Sequence, residues 1–588
     1  MDLGENLKDL FAAKRKAPEL KTSRSAMQSD HHWVEKNIPC QKACPAGTDI
    51  PAYLTAIAEG NPDEAYRINL RDNIFPAILG RVCSRPCEAA CRHGWDGLGD
   101  SVAICFSKRS AADFKQQKLV ILDPWFEPSG KQIAVVGGGV AGLVTARQLA
   151  LLGHQVVVHE KHDRPGGMLN QGIPEFRLPR EIIDHEIDQI KAQGVEIRCN
   201  SAIGKTTSLS ELVTENDAVV MAGGTLDPNL LDLPGRELNG IQHGLKFLLK
   251  LNTTGTADLG DQVIVIGGGF TAMDCARTAV RLGADTKVCY RRGEAEMLVT
   301  PGELEELGHE GIPLNTMVAP KAYIGTAGQL SAMQFIRTEQ GDPDMEGRRT
   351  PIDIKGSEFE VPADTILLAT SQFPELSWID EALRAGHAKL FSAGDFSHGA
   401  TSLIEAIADG KSCAQSVDEF LMGAERLVDV VVTEVAKKTG RTCKMDDIER
   451  QPMPATPLAQ RDLPTEVEQG FAETAAEEEA KRCYRCHYKF EIDPVKCILC
   501  DWCLKARIRP ECILPLKTFQ QDEQGTVVGW ELSEHRSTRR RVWINEEECI
   551  RCGACIEACP VDAITLHKVS LLTEPCISPG STPGESES

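Results

Sequence analysis

The chain lacks any excess of basic charge. Across 588 residues, Lys and Arg number 64 against 86 Asp and Glu, a formal charge of −22. So acidic a surface excludes nucleic acid or an anionic membrane as its main partner. No apolar run reaches the ~18 residues needed to cross a bilayer. The opening Met1-Asp2-Leu3-Gly4-Glu5 has neither the basic nor the apolar stretch of a secretory signal, so a cytoplasmic protein is expected. Catalytic constellations are missing too: no Ser-His-Asp set and no paired carboxylates stand out, and His31, His32 and His309 read as surface residues. At roughly 150 residues per domain, the length predicts about four domains.

What the chain has in quantity is cysteine, 22 residues in all. They cluster at the two ends, and in a reducing compartment clustered thiols point to metal rather than disulfides. Cys549-x2-Cys552-x2-Cys555-x3-Cys559-Pro560 is the bacterial ferredoxin run, and Cys497-x2-Cys500-x2-Cys503 followed by Cys512 is a second triplet. In two-cluster ferredoxins the fourth cysteine of each run serves the other cluster. That predicts one cluster on Cys497, Cys500, Cys503 and Cys559, and another on Cys549, Cys552, Cys555 and Cys512. Zinc sites use paired Cys-x2-Cys instead of triplets. The N-terminal set is Cys40, Cys44, Cys83, Cys87, Cys91 and Cys105, and Cys483-x2-Cys486 is left over near the other end. Together these thiols number sixteen, four for each of four clusters. Cys199, Cys275, Cys289, Cys413, Cys443 and Cys576 stand alone and read as core or tail thiols.

Between the cysteine-rich ends lies an internal repeat. Ile133 to Gly142 matches Val263 to Ala272 at an offset of 130, and each copy runs from a β stretch through glycines into a helix. Two such units predict two dinucleotide-binding domains. In the first, Gly137, Gly139 and Gly142 bring backbone to a pyrophosphate, and Glu160 is placed to accept from ribose hydroxyls. In the second, Gly267, Gly269 and Ala272 form the loop, and Tyr290-Arg291-Arg292 replaces the carboxylate. Two guanidiniums suit a 2′-phosphate, so this site is expected to prefer NADPH. Gly166, Gly167, Gly394 and Asp395 fit further contacts to a flavin nucleotide, which assigns FAD to the first unit and makes the second an inserted NADPH domain.

With these motifs the chain resembles the glutamate synthase small-subunit family, which also forms the N-terminal half of dihydropyrimidine dehydrogenase. The resemblance spans residues 38 to about 425. It is carried by Cys44-Pro45-Ala-Gly-Thr-Asp-Ile-Pro, Gly80-Arg-Val-Cys83, Gly137 to Gly142, Gly166-Gly167-Met-Leu, Gly172-Ile-Pro-Glu-Phe-Arg-Leu-Pro179, Tyr290-Arg-Arg292 and Ala393-Gly394-Asp395. It implies FAD in the outer domain, NADPH in the inserted one and two 4Fe–4S clusters in a helical N-terminal domain. Three departures matter. The family's opening Arg-Cys-x2-Cys is absent at its usual place, yet Arg482-Cys483-Tyr-Arg-Cys486 reads like it, displaced. Either this pair folds back to join Cys40 and Cys91, or it is a separate thiol pair. The family's Gln or Glu ligand aligns with Lys108, which cannot ligate, so Cys105 is expected to complete Cys44, Cys83 and Cys87, with a plain core cysteine as the alternative. Ala369-Thr-Ser-Gln372-Phe-Pro374 departs from the family's Gly-Gln loop.

The expected architecture is multidomain α/β. Residues 1–125 form a helical iron–sulfur domain, 126–245 and 361–425 an FAD domain, and 246–360 a nested Rossmann-like NADPH domain. Residues 426–482 read as a linker, 483–570 as a cysteine pair and ferredoxin-like domain, and 571–588 as a disordered tail. The expected activity is NADPH-linked electron transfer through FAD and clusters to ferredoxin or a partner subunit, in a hetero-oligomer. A self-sufficient reductase of a small organic substrate and a non-catalytic scaffold are the alternatives.

Overall fold

Where a run of β-branched residues meets a glycine loop and then an Ala-rich helix, the chain builds a parallel strand, a tight turn and a crossover. A computed structural model, describing residues 25–95, 99–345, 347–384, 386–522 and 527–576, shows this unit twice. The first sheet has the order Leu390–Ser392, Ala218–Met221, Gln132–Val136, Gln155–His159, Glu196–Arg198, all parallel. The second has the order Ile241–His243, Thr365–Leu368, Gln262–Ile266, Asp285–Cys289, Leu314–Asn315, also parallel. The second unit is nested in the first. The chain leaves and returns through a short antiparallel pairing of Asp227–Pro228 with Gln372–Phe373. Strands Ile241–His243 and Thr365–Leu368 lie outside the expected bounds 246–360 yet belong to the inserted sheet. Beside it, Val318–Thr326, Gln329–Pro343, Arg349–Asp353 and Phe359–Pro362 add an antiparallel sheet that no motif announces.

The N-terminal region is helical. Helices Pro39–Ala43, Pro62–Asn73 and Pro76–Val82 begin on prolines, which favour the first turn because it needs no backbone N–H. Asn61 caps the second of these by accepting from Glu64 N. Helix Ile104–Phe114 is buried along most of its length and packs on Pro76–Val82 and Pro62–Asn73.

The C-terminal third departs most from expectation. Residues 426–482 are not simply a linker: Leu427–Ala436 is a strand paired along its whole length with Ile564–Pro575, which also pairs with Tyr488–Ile492. The four prolines behind the linker reading all fall between 452 and 464, after this strand. Residues 571–575 of the expected tail lie in that same sheet; the remainder of the tail from 577, and residues 1–24, lie outside the described residues. Between the two cysteine triplets, Ile513–Gln521, Val527–Leu532 and Arg541–Ile544 form a further antiparallel sheet. No described helix is long and apolar enough to cross a membrane.

The proline-rich stretch ties these parts together by charge. Glu310, with 5 % of its side chain exposed, binds Arg281 at 2.6 Å, Arg277 at 2.9 Å and Arg461 at 2.9 Å. Arg461 also binds Glu306 at 2.6 Å. Burial alone would raise the Glu310 carboxyl, but hydrogen bonds from Arg281 and Arg277 hold it at about 2. A carboxylate held below its unfolded value adds stability above its ordinary range and loses it as the pH falls toward the folded value. Glu310→Ala, which leaves the buried Arg281 without its carboxylate and takes one of several from Arg277 and Arg461, is expected to destabilise the protein by about 3 kcal/mol at pH 7. In urea unfolding, its gap from wild type should narrow as the pH is lowered from 5 toward 2.

Candidate functional site

The first glycine loop is built by close approach. A Cβ at Gly142 would lie 2.0 Å from the Gly137 carbonyl oxygen, and one at Gly137 would lie 2.3 Å from that of Ala222. Helix Val140–Leu151 starts at Gly139 with no side-chain cap, leaving its first N–H groups for an anion. Gly166 N donates to Gly138 O at 2.7 Å, and Gly167 packs on Gly139, so the Arg164–Leu169 turn lies against the loop. Glu160 is buried, with Oε2 accepting from Gly138 N at 2.8 Å and Oε1 from His162 N at 2.9 Å. Gly394 packs on Ala141, and Asp395, raised by burial, accepts from Thr401 N at 3.0 Å and Oγ1 at 2.7 Å. All the residues expected at the flavin site meet at one end of this sheet.

The second loop shows a different reader. Helix Phe270–Arg281 opens at Gly269, again without a side-chain cap, and Ala272 is fully buried. The Tyr290 ring covers Gly268, where a Cβ would come within 2.4 Å of it, and the Tyr290 hydroxyl donates to Glu296 O at 2.9 Å. An aromatic face therefore stands where Glu160 stands in the first copy. The two arginines diverge. Arg291 is exposed, whereas Arg292 is buried, its Nη2 on Asp344 at 2.8 Å and its Nε donating to Arg349 O at 3.0 Å.

The sixteen clustered thiols gather in four groups, and none of them is in a disulfide. Cys40, Cys91, Cys483 and Cys486 border one hollow with Ile50, Leu54, Val102 and Ile104. Burial, then Cys486, Cys91 and Cys483, push the Cys40 thiol up. Cys105 is the neighbour that acts most strongly on the thiols of both Cys83 and Cys87. Burial would lower the buried Lys108 ammonium, but Cys105, Cys83, Cys87 and Cys44 raise it. Cys497, Cys500, Cys503 and Cys559 border a third hollow with Ile492, Leu499, Val542 and Ala563. Cys512 is pushed up to about 12 by burial and by Cys549 and Cys552, and the same two cysteines act on Cys555. Among the described residues, no group of three or more His, Cys, Asp or Glu is set to hold a single metal ion. Zinc would draw its thiolates to about 2.3 Å from one centre. Thiols standing around a hollow instead fit a larger group.

Sequence reasoning missed what holds the fold-back. Glu479, 0 % exposed, accepts from Ala103 N at 2.7 Å, Gln451 N at 2.7 Å and Arg482 Nη1 at 2.7 Å. No local pattern distinguishes it from its neighbours Glu477 and Glu478. A chain of Ser129, His154 and Asp418 (2.7 and 2.8 Å) is also present, but Asp418 is paired with Arg426, so the chain ties segments together. For the first loop the clash at Gly142 sets a test. Gly142→Val is expected to lower FAD retention at least tenfold, about 1.4 kcal/mol or more. The ratio of flavin to protein absorbance measures it.

Comparison with known proteins agrees with this geometry. The pyridine nucleotide-disulphide oxidoreductase family model matches residues 131–410. The model of dihydropyrimidine dehydrogenase domain II with its 4Fe-4S cluster matches 14–120, and a 4Fe-4S binding domain matches 542–565. The NADP(+)-dependent formate dehydrogenase subunit beta of Moorella thermoacetica is 35% identical over 76% of this chain and 70% of its own length. The NADPH-Fe(3+) oxidoreductase subunit beta of Geobacter sulfurreducens is 32% identical over 78% and 76%. The glutamate synthase small chain of Escherichia coli is 30% identical over 67% of this chain and 91% of its own. With its two nucleotide loops and its iron–sulfur segments, the chain belongs to the glutamate synthase small-subunit family of NADPH-dependent FAD and 4Fe–4S oxidoreductases.

Proposed function

We propose that this chain is the NADPH-side subunit of a larger redox enzyme and exchanges electrons with its partner at the ferredoxin-like end. The relatives named as beta subunits and small chains support that assignment. Gly137, Gly139, Gly142, Glu160, Gly166, Gly167, Gly394 and Asp395 would hold FAD. Gly267, Gly269, Ala272 and Arg291 would hold NADPH, with Arg292 bracing the turn from behind through Asp344. Four 4Fe–4S clusters would sit on Cys40/Cys91/Cys483/Cys486, Cys44/Cys83/Cys87/Cys105, Cys512/Cys549/Cys552/Cys555 and Cys497/Cys500/Cys503/Cys559. When bound, these groups supply hydride transfer from NADPH to FAD and one-electron relay beyond it.

The protein's own part is to exclude water, fix these groups and leave an exit. The observation that carries the reading is the hollow shared by Cys40 and Cys91 with Cys483 and Cys486, because it joins the two ends of the chain into one site. The exit belongs at the Cys497 hollow. Ile498, which borders it, is 59 % exposed, and Val495, Trp502 and Ile508, close to the same cysteines in sequence, are 92 %, 56 % and 48 % exposed. Exposed large apolar side chains gathered in one segment suit a protein-docking surface.

Two measurements test this reading. The Cys486→Ser protein is expected to keep its flavin but lose one cluster, its iron falling from about sixteen to about twelve per chain. Full iron retention would show that Cys486 is not a ligand. Anaerobic titration with NADPH and then NADH, followed by flavin absorbance and low-temperature EPR, should show bleaching and reduced-cluster signals with NADPH. In Arg291→Ala the preference for NADPH over NADH should drop roughly 10- to 150-fold, the worth of a charged hydrogen bond at about 1.5–3 kcal/mol. A wild-type flavin that neither nicotinamide reduces would overturn the function, and an unchanged preference in the variant would overturn only the role of Arg291.

A further inference from the structure

Two buried arginines stand between two of the thiol groups and use only part of their hydrogen-bonding capacity. Arg92 directly follows Cys91, is 2 % exposed and lines the hollow bordered by Cys40, Cys91, Cys483 and Cys486. Its Nη1 donates to the Glu546 carbonyl at 2.5 Å. Arg551 lies between Cys549 and Cys552, is 0 % exposed and has φ 57°, a left-handed backbone rare outside glycine. Its Nη1 donates to the same Glu546 carbonyl and, at 2.5 Å, to that of Cys549, while Nε reaches Tyr488 O at 3.3 Å. One main-chain oxygen thus receives a guanidinium from each end of the chain.

This arrangement is costly unless negative charge lies close by. Two like charges share a dry space, and a buried cation without compensation is strongly unfavourable. The Glu546 carboxylate is already engaged, Oε1 by Phe490 N at 3.0 Å and Oε2 by Trp33 Nε1 at 2.5 Å. Among the described residues, Arg92 Nε and Nη2 and Arg551 Nη2 have no hydrogen-bond partner. The Glu546 carboxylate supplies one compensating charge, but these N–H groups do not bond to it, and the sulfurs on either side are the negative groups that can meet them. Of the charges that act on Arg92 after burial, Cys486 ranks first, followed by Arg551, which opposes it, then Glu546 and Cys549.

We propose that Arg92 and Arg551 form a cationic junction between the Cys40/Cys91/Cys483/Cys486 site and the Cys512/Cys549/Cys552/Cys555 site. Their unpartnered N–H groups donate to the sulfur of the clusters held there, raise the reduction potentials of both and make this the crossing from the N-terminal domain to the ferredoxin-like domain. The inference rests on the four-cluster reading. A hydrogen bond or positive charge next to cluster sulfur favours the reduced, more negative state, and the effect is strong where water is absent.

The test is redox potentiometry of the full chain, read by low-temperature EPR, with iron counted beforehand. A wild-type count well below about sixteen would sink the underlying four-cluster reading before the junction is examined. Given the full count, Arg92→Gln should keep its iron and shift one cluster negative. At a fixed potential its reduced-to-oxidised ratio should fall about tenfold, equivalent to about 59 mV for one electron. Arg92→Lys should recover most of the shift, which a purely structural role would not do, and Arg551→Gln should move the neighbouring cluster the same way. Iron-replete variants with unchanged midpoints would overturn the proposal. Should the glutamine variants lose iron, the wild-type protein still decides. Two clusters separated only by this junction must broaden or split each other's EPR signals when fully reduced, and uncoupled spectra would overturn it.

Discussion

The buried Glu479–Arg482 pair is the constraint on which the rest of this architecture depends. Both side chains are almost wholly out of water, and each is saturated by backbone. Arg482 donates to Ser101 O at 3.1 Å, Asp100 O at 2.7 Å and Ile448 O at 3.1 Å, and Glu479 accepts from Ala103 N and Gln451 N. A buried pair is often no more stabilising than an apolar replacement, because desolvation offsets attraction. What it does supply is position. A hydrophobic helix face can slide by a turn at small cost, whereas a carboxylate with three donors has one place to sit. Helix Glu473–Lys481 is thereby registered against the start of helix Ile104–Phe114, and Cys483 and Cys486 follow it directly into the hollow with Cys40 and Cys91.

That registration explains an electrostatic oddity. A chain with a net charge of −22 collects buried cations where its thiols gather: Arg92 and Arg551 at the junction, Lys108 among Cys44, Cys83, Cys87 and Cys105, and Arg485 beside Cys483. Thiolates brought into a dry interior need compensation that solvent no longer gives. The acidic surface and the cationic interior are therefore separate solutions, one for solubility and one for charge neutralisation.

How much of this was legible follows from the range of each interaction. The nucleotide loops were plain, since their geometry is set within a few residues: Gly142 must be glycine because of Gly137, five positions earlier. The cysteine grouping was legible in part: spacing grouped the two ferredoxin triplets, whereas the joining of Cys483 and Cys486 to Cys40 and Cys91 was suggested by the family resemblance, with a separate pair as the alternative. The direction of Arg292 was not legible, since it depends on Asp344 in an antiparallel sheet that no motif marks. Nor was the strand Leu427–Ala436, whose partner lies more than a hundred residues away and whose charged surroundings look like a linker. Long-range pairing writes little into local sequence.

The same distance argument bears on whether the ferredoxin-like end is an appendage. Were it one, its connecting segment would touch little. Instead Glu466 binds Arg81 at 2.7 Å and Arg109 at 2.9 Å in the N-terminal helices, Val467 N donates to Phe176 O at 2.9 Å, and Arg461 and the Asp462 carbonyl engage the inserted unit through Glu306, Glu310 and Arg281. The two connections to the inserted unit pair with each other over two residues. Its orientation therefore depends on contacts elsewhere, those of Arg177 with Asp274 at 2.7 Å and Glu303 at 2.5 Å together with these contacts of the connecting segment. The connecting segment thus seats the inserted nucleotide unit and delivers the cysteine pair to the N-terminal helices. Loosening one end of that segment should be felt at the other, because a single stretch of chain carries both tasks.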